Sequence, residues 1–321
     1  MGNIKTPTTI QKIFSPARTT LWILISVSGI LIARLFHFAL KYSVNILYYD
    51  QWAFYAPLFD YKNLWQLFNW QHGPHRQGIG LIVSKILADL TEWNTVADSL
   101  AIVVLLSAGM ILAYVLKHRL FGSFTLWDLT IPLLFSTLFQ YEGIVVVANL
   151  SYGAFPIVLT MLYCLALLMK KKGATQYIII LVLNFLLIYT GWGLFMGSVS
   201  IIFFTMIFYS SLRSGKDIFI TGVAGVIASI SQFLFFTGYR FDPAVSCFDI
   251  STSYALQYQV FMGLMLAAFF GLHIRIMGVF AIPAGLFLLT ILIFVLAYHG
   301  RRVIKQGMHT NQVSLINTIA N

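Results

Sequence analysis

Charged side chains are scarce in this sequence of 321 residues. Only 9% of the residues are Asp, Glu, Lys or Arg, whereas an ordinary soluble domain carries about 25%. Apolar residues make up 59% of the chain, and the mean hydropathy is +0.85. So few polar groups do not cover the surface of a soluble particle of this size. The composition therefore excludes a soluble globular protein and predicts a chain embedded in lipid.

The sequence is also poor in cysteine and in nucleotide-binding motifs. Cys164 lies in an apolar run and Cys247 in a predicted outer loop, so we expect no disulfide between these two residues, the only cysteines present. There is no Walker loop, no Gly-rich dinucleotide fingerprint after a strand, no His-Glu-x-x-His and no Cys-x-x-Cys. ATP-driven transport therefore has no support in the sequence.

The apolar runs predict an all-α, polytopic bundle of transmembrane helices. Their length is near the ~20 residues that a spanning helix needs rather than the ~10 of a barrel strand. Eight spans are predicted, with a range of eight to ten, near residues 20–40, 96–116, 129–148, 153–169, 176–190, 193–212, 218–237 and 277–297. Residues 76–92 are amphipathic, and residues 254–272 are apolar over too short a stretch. The first segment is expected to lie in the membrane interface, and the second to be interfacial or re-entrant.

The formal net charge of +10 indicates topology rather than nucleic-acid binding. Five basic clusters separate the apolar runs, and they hold 13 of the 20 Lys and Arg residues. If all five face the cytoplasm, the positive-inside rule is obeyed and both termini are cytoplasmic. The clusters are Lys5, Lys12 and Arg18; Lys117 and Arg119; Lys170 to Lys172; Arg213 and Lys216; and Arg301, Arg302 and Lys305.

This topology predicts a single transmembrane domain over residues 1–321 with two outer segments. The first outer loop is 41–95 and carries interfacial helices, and the second is 238–276. Residues 306–321 form a polar tail with a weak apolar pattern that ends before a span is complete. We expect this tail to mark either a truncated gene product or a minimal core.

The first outer loop is rich in aromatic residues. It holds four of the seven Trp residues, at positions 52, 65, 70 and 93. Such rings are common where a protein meets the membrane surface, and an aromatic belt with no further role explains them. Ligand contact is the alternative explanation, most of all for Trp52, which follows an acidic residue closely.

A polar run within this loop, Gln71 to Gln77, suggests an anion site. Pro74 is suited to the start of a helix, which would place His75 and Arg76 at the helix N-terminus. Exposed backbone N–H groups and the helix dipole favour phosphate there. Contact with lipid headgroups explains the same basic residues equally well.

Three further ionisable groups are candidates for function. Asp50, just past the first span, is suited to act as a general base if cations lie nearby, and is otherwise a solvated loop carboxylate. Glu142 lies in or at the end of an apolar run, where burial is costly, so it is either functional or paired with a cation. Arg34 belongs to a basic stripe on the first helix that snorkelling to headgroups also explains.

Three short motifs follow in order: Asp50 to Trp52, Gln71 to Arg76, and Gln140 to Glu142. With the first span before them, they resemble bacterial, polyprenyl-phosphate-sugar-dependent membrane glycosyltransferases of the GT-C type. The resemblance covers roughly residues 20–300 and implies a GT-C-like helix bundle in the bacterial plasma membrane. It also implies transfer of a hexose from a polyprenyl-phosphate donor to a cell-envelope glycan or lipid-linked acceptor on the outer face.

The same resemblance implies roles for individual residues. Asp50 is the expected base, and Glu142 is expected to line the catalytic pocket. The donor phosphate or sugar would be bound by His72, His75 and Arg76. Gln77, Trp52, Gln140 and Arg34 complete the predicted substrate-binding set. Asp50 is followed by Gln51, so no Asp-Asp or Asp-x-Asp pair is present for a divalent metal, and no cofactor is expected.

Two other functions remain open at the level of sequence. A transporter or flippase for a lipid-linked sugar also needs a basic, aromatic cavity at membrane level. Such a protein more often carries paired broken helices in two related halves, which this sequence does not reveal. A non-catalytic membrane subunit is the third alternative, and truncation would favour it. Membrane lipids and a polyprenyl-linked sugar are the expected partners, and nucleic acid is not.

Overall fold

The computed structural model describes residues 16–60, 62–146, 148–169, 173–191, 193–240, 255–269, 272 and 274–309. Within these residues the regular structure is helical, mostly α-helical, apart from one hairpin of two short strands. The longer helices are α1 (Pro16–Tyr42), α2 (Gln51–Phe59), α3 (Leu64–Phe68), α4 (Gly78–Leu90), α5 (Val96–Phe121), α6 (Thr130–Phe135), α7 (Ala154–Leu167), α8 (Ala174–Ile188), α9 (Gly193–Ser214), α10 (Ile218–Phe235), α11 (Ala255–Phe269), α12 (Ile274–Met277) and α13 (Ala281–His309). Strands β1 (Gln71–His72) and β2 (His75–Arg76) form the hairpin.

Among the described residues, five helical segments are long and apolar enough to cross a membrane. They are Arg18–Tyr42, Val96–Phe121, Phe195–Ser214, Ile218–Phe235 and Gly278–Val295. The prediction of an all-α membrane bundle is confirmed at this level, and five of the eight predicted spans match these segments. The predicted spans at 153–169 and 176–190 form α7 and α8, which have 14 and 15 residues. A perpendicular crossing usually takes at least ~17 residues.

The prediction of one continuous helix at 129–148 is wrong. Residues 126–146 form a 3₁₀ turn, the short helix α6, a second 3₁₀ turn (Leu138–Gln140) and a π-helical turn (Glu142–Val146). The helix α6 ends at Ser136, whose backbone N–H makes the last helical bond, to the carbonyl of Pro132, and whose hydroxyl bonds to the same carbonyl. The Thr137 hydroxyl then caps the second 3₁₀ turn. Apolarity alone did not reveal these local side-chain bonds, which compete with helical ones.

Two larger apolar cores, among four such clusters in the described residues, join the helices. Helices α7 to α10 share one core, in which buried Tyr163, Ile180 and Phe204 pack together. Leu35 of α1, Val103 of α5 and Leu150 lie in the second core, which supports the loop between the π-helical turn and α7. Both cores lie beneath the first outer loop and fix the segments on which that loop rests.

The predicted interfacial segment at 254–272 forms the helix α11. This helix packs against α13, and the two backbones meet at Gly263 and Gly285, where a Cβ on Gly263 would lie 3.0 Å from the Gly285 carbonyl carbon. Several sequence predictions lie outside the described residues. These are the basic groups at Lys5, Lys12 and 170–172, part of the second outer loop (241–254, with Cys247), and the tail at 310–321.

Candidate functional site

The segment Gln71–Arg76 is a hairpin rather than the start of a helix. Gln71 pairs with Arg76 and His72 with His75 around a two-residue turn, in which Gly73 adopts φ +55° and Pro74 follows. A glycine in the first place of such a turn matches the twist of the paired strands. The prediction that Pro74 begins a helix is therefore wrong, because α4 begins at Gly78. His75 and Arg76 form strand β2 and precede Gln77, the N-cap residue of α4.

Arg76 is buried, with only 2% of its surface exposed, and it binds backbone carbonyls. Its Nε and Nη2 donate to the Phe235 carbonyl at 3.1 and 2.7 Å, and Nη2 also donates to the Thr237 carbonyl at 2.9 Å. Its Nη1 donates to the Asn69 carbonyl at 2.6 Å. Phe235 ends α10, so the guanidinium satisfies a carbonyl that the helix leaves without a partner and opposes the negative end of the dipole.

Further contacts join the hairpin to the chain after α10. The guanidinium of Arg76 lies 5.5 Å from the ring centroid of Phe235 and 5.4 Å from that of Tyr239. The Gln71 side chain donates to the Arg240 carbonyl at 2.7 Å and accepts from the Arg240 N–H at 2.8 Å. The Tyr239 hydroxyl donates to the Pro74 carbonyl at 2.9 Å. The hairpin is thus held on one side by residues 235–240.

His72 faces the other side of the hairpin and meets Tyr152 from the loop before α7. The His72 Nδ1 and the Tyr152 hydroxyl lie 3.1 Å apart, and the hydroxyl also donates to the His72 carbonyl at 3.2 Å. Gln77 donates to the same hydroxyl at 3.0 Å. The His75 ring lies edge-on to the Tyr152 ring at 5.2 Å, and Phe54 is edge-on to the His72 ring at 4.6 Å. Tyr152 is therefore the shared contact of His72, His75 and Gln77.

The charge of Asp50 acts on both His72 and Tyr152. Asp50 is exposed and occupies the N-cap position of α2, with no capping bond from its side chain. Burial lowers the pKa of His72, and the nearby Asp50 carboxylate partly opposes that shift. Burial and, more weakly, the Asp50 charge raise the pKa of Tyr152. The carboxylate, the imidazole and the phenol thus influence one another electrostatically.

The imidazoles of this cluster favour their neutral form. Burial lowers the pKa of His75, and the charge of His72 lowers it further. Both His72 and His75 are half-buried. At neutral pH each ring therefore offers one N–H donor and one acceptor nitrogen rather than a fixed positive charge. The cluster can move protons and donate hydrogen bonds.

Gln51 and Tyr49 fix the backbone that carries Asp50. Gln51 is buried, its amide donates to the Ala148 carbonyl at 3.2 Å, and its oxygen accepts from the Tyr48 N–H at 2.9 Å. Tyr49 adopts φ +51°, a left-handed conformation that costs energy in a non-glycine residue. Gln51 thus ties the start of α2 to the segment that leads to Tyr152.

Close packing against α4 positions the loop that carries Tyr152. Ser151 donates to the Gln77 carbonyl, and its own N–H bonds to the Asn149 side chain at 2.8 Å. The Asn149 amide donates to the Gln77 side chain at 3.3 Å. Gly80 allows this approach, because a Cβ there would overlap the Ser151 hydroxyl and lie 2.6 Å from the Ser151 nitrogen.

The remaining predicted site residues have other contacts. Arg34 donates to the Ser136 carbonyl at 2.7 Å, which satisfies the C-terminal end of α6. Gln140 and Glu142 are exposed in the broken segment, and Glu142 accepts a bond from Tyr141 at 3.2 Å. Trp52 is 59% exposed and lies beside Phe59, as expected of a ring at a membrane surface.

Sequence reasoning missed Tyr152, Gln51 and Asn149. Asn149, Ser151 and Gly153 together indicate a loop, but that pattern does not predict that Tyr152 meets His72. Among the described residues, no three His, Cys, Asp or Glu side chains lie close enough to hold a metal ion. Asp50, His72, His75, Gln77 and Tyr152 are called the outer-loop cluster below.

No protein-family model, no curated protein and no solved structure matches this chain. The function therefore rests on the chemistry of the outer-loop cluster and on the membrane setting of the helices.

Proposed function

We propose that the chain is a membrane glycosyltransferase that moves a sugar from a polyprenyl-phosphate donor to a cell-envelope acceptor on the outer face. The observation that carries this proposal is the contact of His72 with Tyr152 at 3.1 Å, together with the electrostatic effect of the nearby Asp50 carboxylate on both groups. A carboxylate beside neutral imidazoles matches the needs of a transfer from an activated phosphate to a hydroxyl. Five helices are long and apolar enough to cross a membrane, which would place the chain in the bilayer that holds such a donor.

In the proposed reaction Asp50 accepts the proton of an acceptor hydroxyl. The acceptor oxygen forms a bond to the anomeric carbon of the sugar, while the bond from that carbon to the phosphate oxygen breaks. The phosphate leaves with the bonding electron pair and stays on the polyprenyl chain. The N–H group of His75 donates a hydrogen bond to a phosphate oxygen as its charge rises, and His72 does so in the tautomer that carries its proton on Nε2.

Arg76 has a different role in this proposal from the one that the motif implies. Its donors are directed at three backbone carbonyls, so it supports the hairpin rather than the donor phosphate. The exposed Arg240 is the cation that we assign to the phosphate instead. Its backbone is bonded to Gln71 in both directions, next to the strand that carries His72.

The proposal is tested by transfer from tritium-labelled polyprenyl-phosphate hexoses to endogenous acceptors in membranes that contain the protein. Asp50→Asn is expected to abolish transfer while the protein accumulates normally, because the amide does not accept the proton. Asp60→Asn is the matched control, since this exposed carboxylate in the same loop only pairs with Lys62 at 3.1 Å. Full transfer by Asp50→Asn would rule out the assignment of Asp50 as base.

A flippase for a lipid-linked sugar is the second candidate, and the broken segment at 126–146 favours it. Interrupted helices at membrane depth are typical of transporters, where irregular backbone lines a cavity. The two functions differ in whether the bond between sugar and phosphate survives. Proteoliposomes given a fluorescent polyprenyl-phosphate sugar separate them: a flippase moves the intact lipid across the bilayer, and a transferase consumes it only when an acceptor is present.

A further inference from the structure

Asp98, an ionisable residue outside the outer-loop cluster, is buried. Asp98 is in the first turn of α5, and only 3% of its surface is exposed. The Ser84 hydroxyl of α4 donates to its Oδ1 at 2.7 Å. Within the described part of the chain, no Lys, Arg or His lies within ion-pair distance of this carboxyl. A buried, ionised carboxylate without a cation is costly, so its protonation state is a chemical question.

Tyr55 of α2 presents a second buried polar group next to Asp98. The ring is 3% exposed, and its hydroxyl lies close enough to Asp98 and Ser84 for each to affect its ionisation as a hydrogen-bond partner. Burial raises the pKa of Tyr55, and the nearby Asp98 raises it further. These contacts are not of ideal geometry, and a buried hydroxyl in that position gains from a further bond to a water molecule. Tyr55 and Ser84 are the polar groups that face Asp98 from α2 and α4.

A cavity of about 10 Å³ lies between these groups and the outer-loop cluster. Tyr55 and Ser84 line one part of it, and Gln77, Asn149 and Ser151 line another. This volume holds roughly one water molecule, and such a molecule would find the several polar partners that a buried water needs. Gln77 also bonds to the Tyr152 hydroxyl, so the cavity is one residue away from the centre of the outer-loop cluster.

We propose that Asp98 is a buried proton-binding site, protonated at neutral pH, that exchanges its proton with one water molecule held in this cavity through the Tyr55 hydroxyl, which lines the cavity. In each exchange the carboxyl gives its proton to the Tyr55 oxygen as the Tyr55 hydroxyl gives its own to the water, and the reverse transfer returns a proton, so the carboxyl and the phenol both end neutral. The Ser84 hydroxyl donates to the carbonyl oxygen of the acid. The protonated carboxyl is then free to donate to the Tyr55 oxygen. This site lies beyond the proposed sugar transfer and does not depend on it.

The competing explanation is a structural carboxylate. An ionised Asp in the first turn of a helix is stabilised by the helix dipole and by the hydrogen bond from Ser84. The two explanations differ in one observable, which is whether the carboxyl carries a proton at neutral pH.

Infrared difference spectroscopy on the full chain in lipid vesicles at pH 7 measures that state. Subtracting the Asp98→Asn spectrum from that of the unsubstituted protein is expected to leave the carbonyl stretch of a protonated acid, which shifts in D₂O. Asn preserves the acceptor for Ser84, so the fold is retained. Asp60→Asn, at an exposed carboxyl, is expected to remove only carboxylate bands. A carboxylate difference for Asp98→Asn as well would overturn the proposal.

Two further variants test the geometry. Ser84→Ala removes the hydrogen bond to the acid carbonyl, and the Asp98 band is expected to move to higher frequency without disappearing. An unmoved band would contradict the assignment. Tyr55→Phe removes one partner of the proposed water, and the deuterium exchange of the Asp98 acid is expected to become slower. Exchange at the same or a higher rate would overturn the route through the cavity.

Discussion

Arg76 gives the sharpest distinction between a structural role and a substrate-binding role. Replacing it with Met preserves much of the apolar stem and removes the four hydrogen bonds that its guanidinium donates to three carbonyls. The Phe235 carbonyl is buried and loses both of its charged donors, at a cost of about 1–3 kcal/mol. The carbonyls of Asn69 and Thr237 are only partly buried, so water replaces much of what they lose.

The expected loss in the free energy of unfolding for Arg76→Met is therefore about 2–4 kcal/mol, measured by denaturant unfolding in detergent without any substrate. Arg213→Met is the matched control. Arg213 is exposed and contacts Tyr209 of its own helix, so its loss should change stability by less than about 0.5 kcal/mol. If the two variants unfold alike, the hairpin is not held by Arg76. The predicted role at the donor phosphate would then regain its support.

Two other predictions concern packing and pH. Gly80→Ala is expected to push the Ser151 loop away from α4 and to separate residue 152 from His72. A cysteine placed at position 152 (Tyr152→Cys) should therefore react faster with a thiol reagent when Gly80→Ala is also present. Equal reactivity with and without Gly80→Ala would contradict the close approach. The pKa values of His72 and His75 are lowered in the folded protein, so their contribution to stability is present above the unfolded value of 6.5 and lost as the pH falls below it. Thermal stability should therefore drop on acidification from pH 7.5 to about 5. The drop should be smaller in a His72→Gln, His75→Gln double variant, and an identical drop would contradict the assignment.

The sequence was sufficient to predict the membrane class and most of the helices. Long apolar runs bounded by basic clusters predict transmembrane helices, because inside the bilayer the backbone N–H and C=O groups have no water to bond and must bond to one another. The break at 126–146 was not predictable from apolarity, since it depends on side-chain bonds from Ser136 and Thr137 to neighbouring backbone. Hydropathy does not register such bonds.

The contacts of the candidate site were predictable only in part. The grouping of His72, His75 and Gln77 in one loop agrees with their shared contact with Tyr152, and Asp50 acts on His72 through its charge. Their functional roles stay a prediction. Pro74 was assigned to a helix start, although a proline after glycine suits the turn of a hairpin equally well. Because Pro74 was assigned to a helix start, Arg76 was assigned to an anion site at the N-terminus of that helix. Tyr152 lies 80 residues from His72 along the chain, and no pattern in one sequence predicts such a contact.

The central claim is that the Asp50 carboxylate acts directly on His72, and NMR titration of the full chain with isotope-labelled histidine tests it. His72→Gln assigns the signal. In Asp50→Asn the pKa of His72 should fall, because the negative charge that raises it is gone and the opposing effect of burial remains. Asp60→Asn should leave the His72 titration where it was. A His72 titration that is the same in Asp50→Asn as in the unsubstituted protein would contradict the claim.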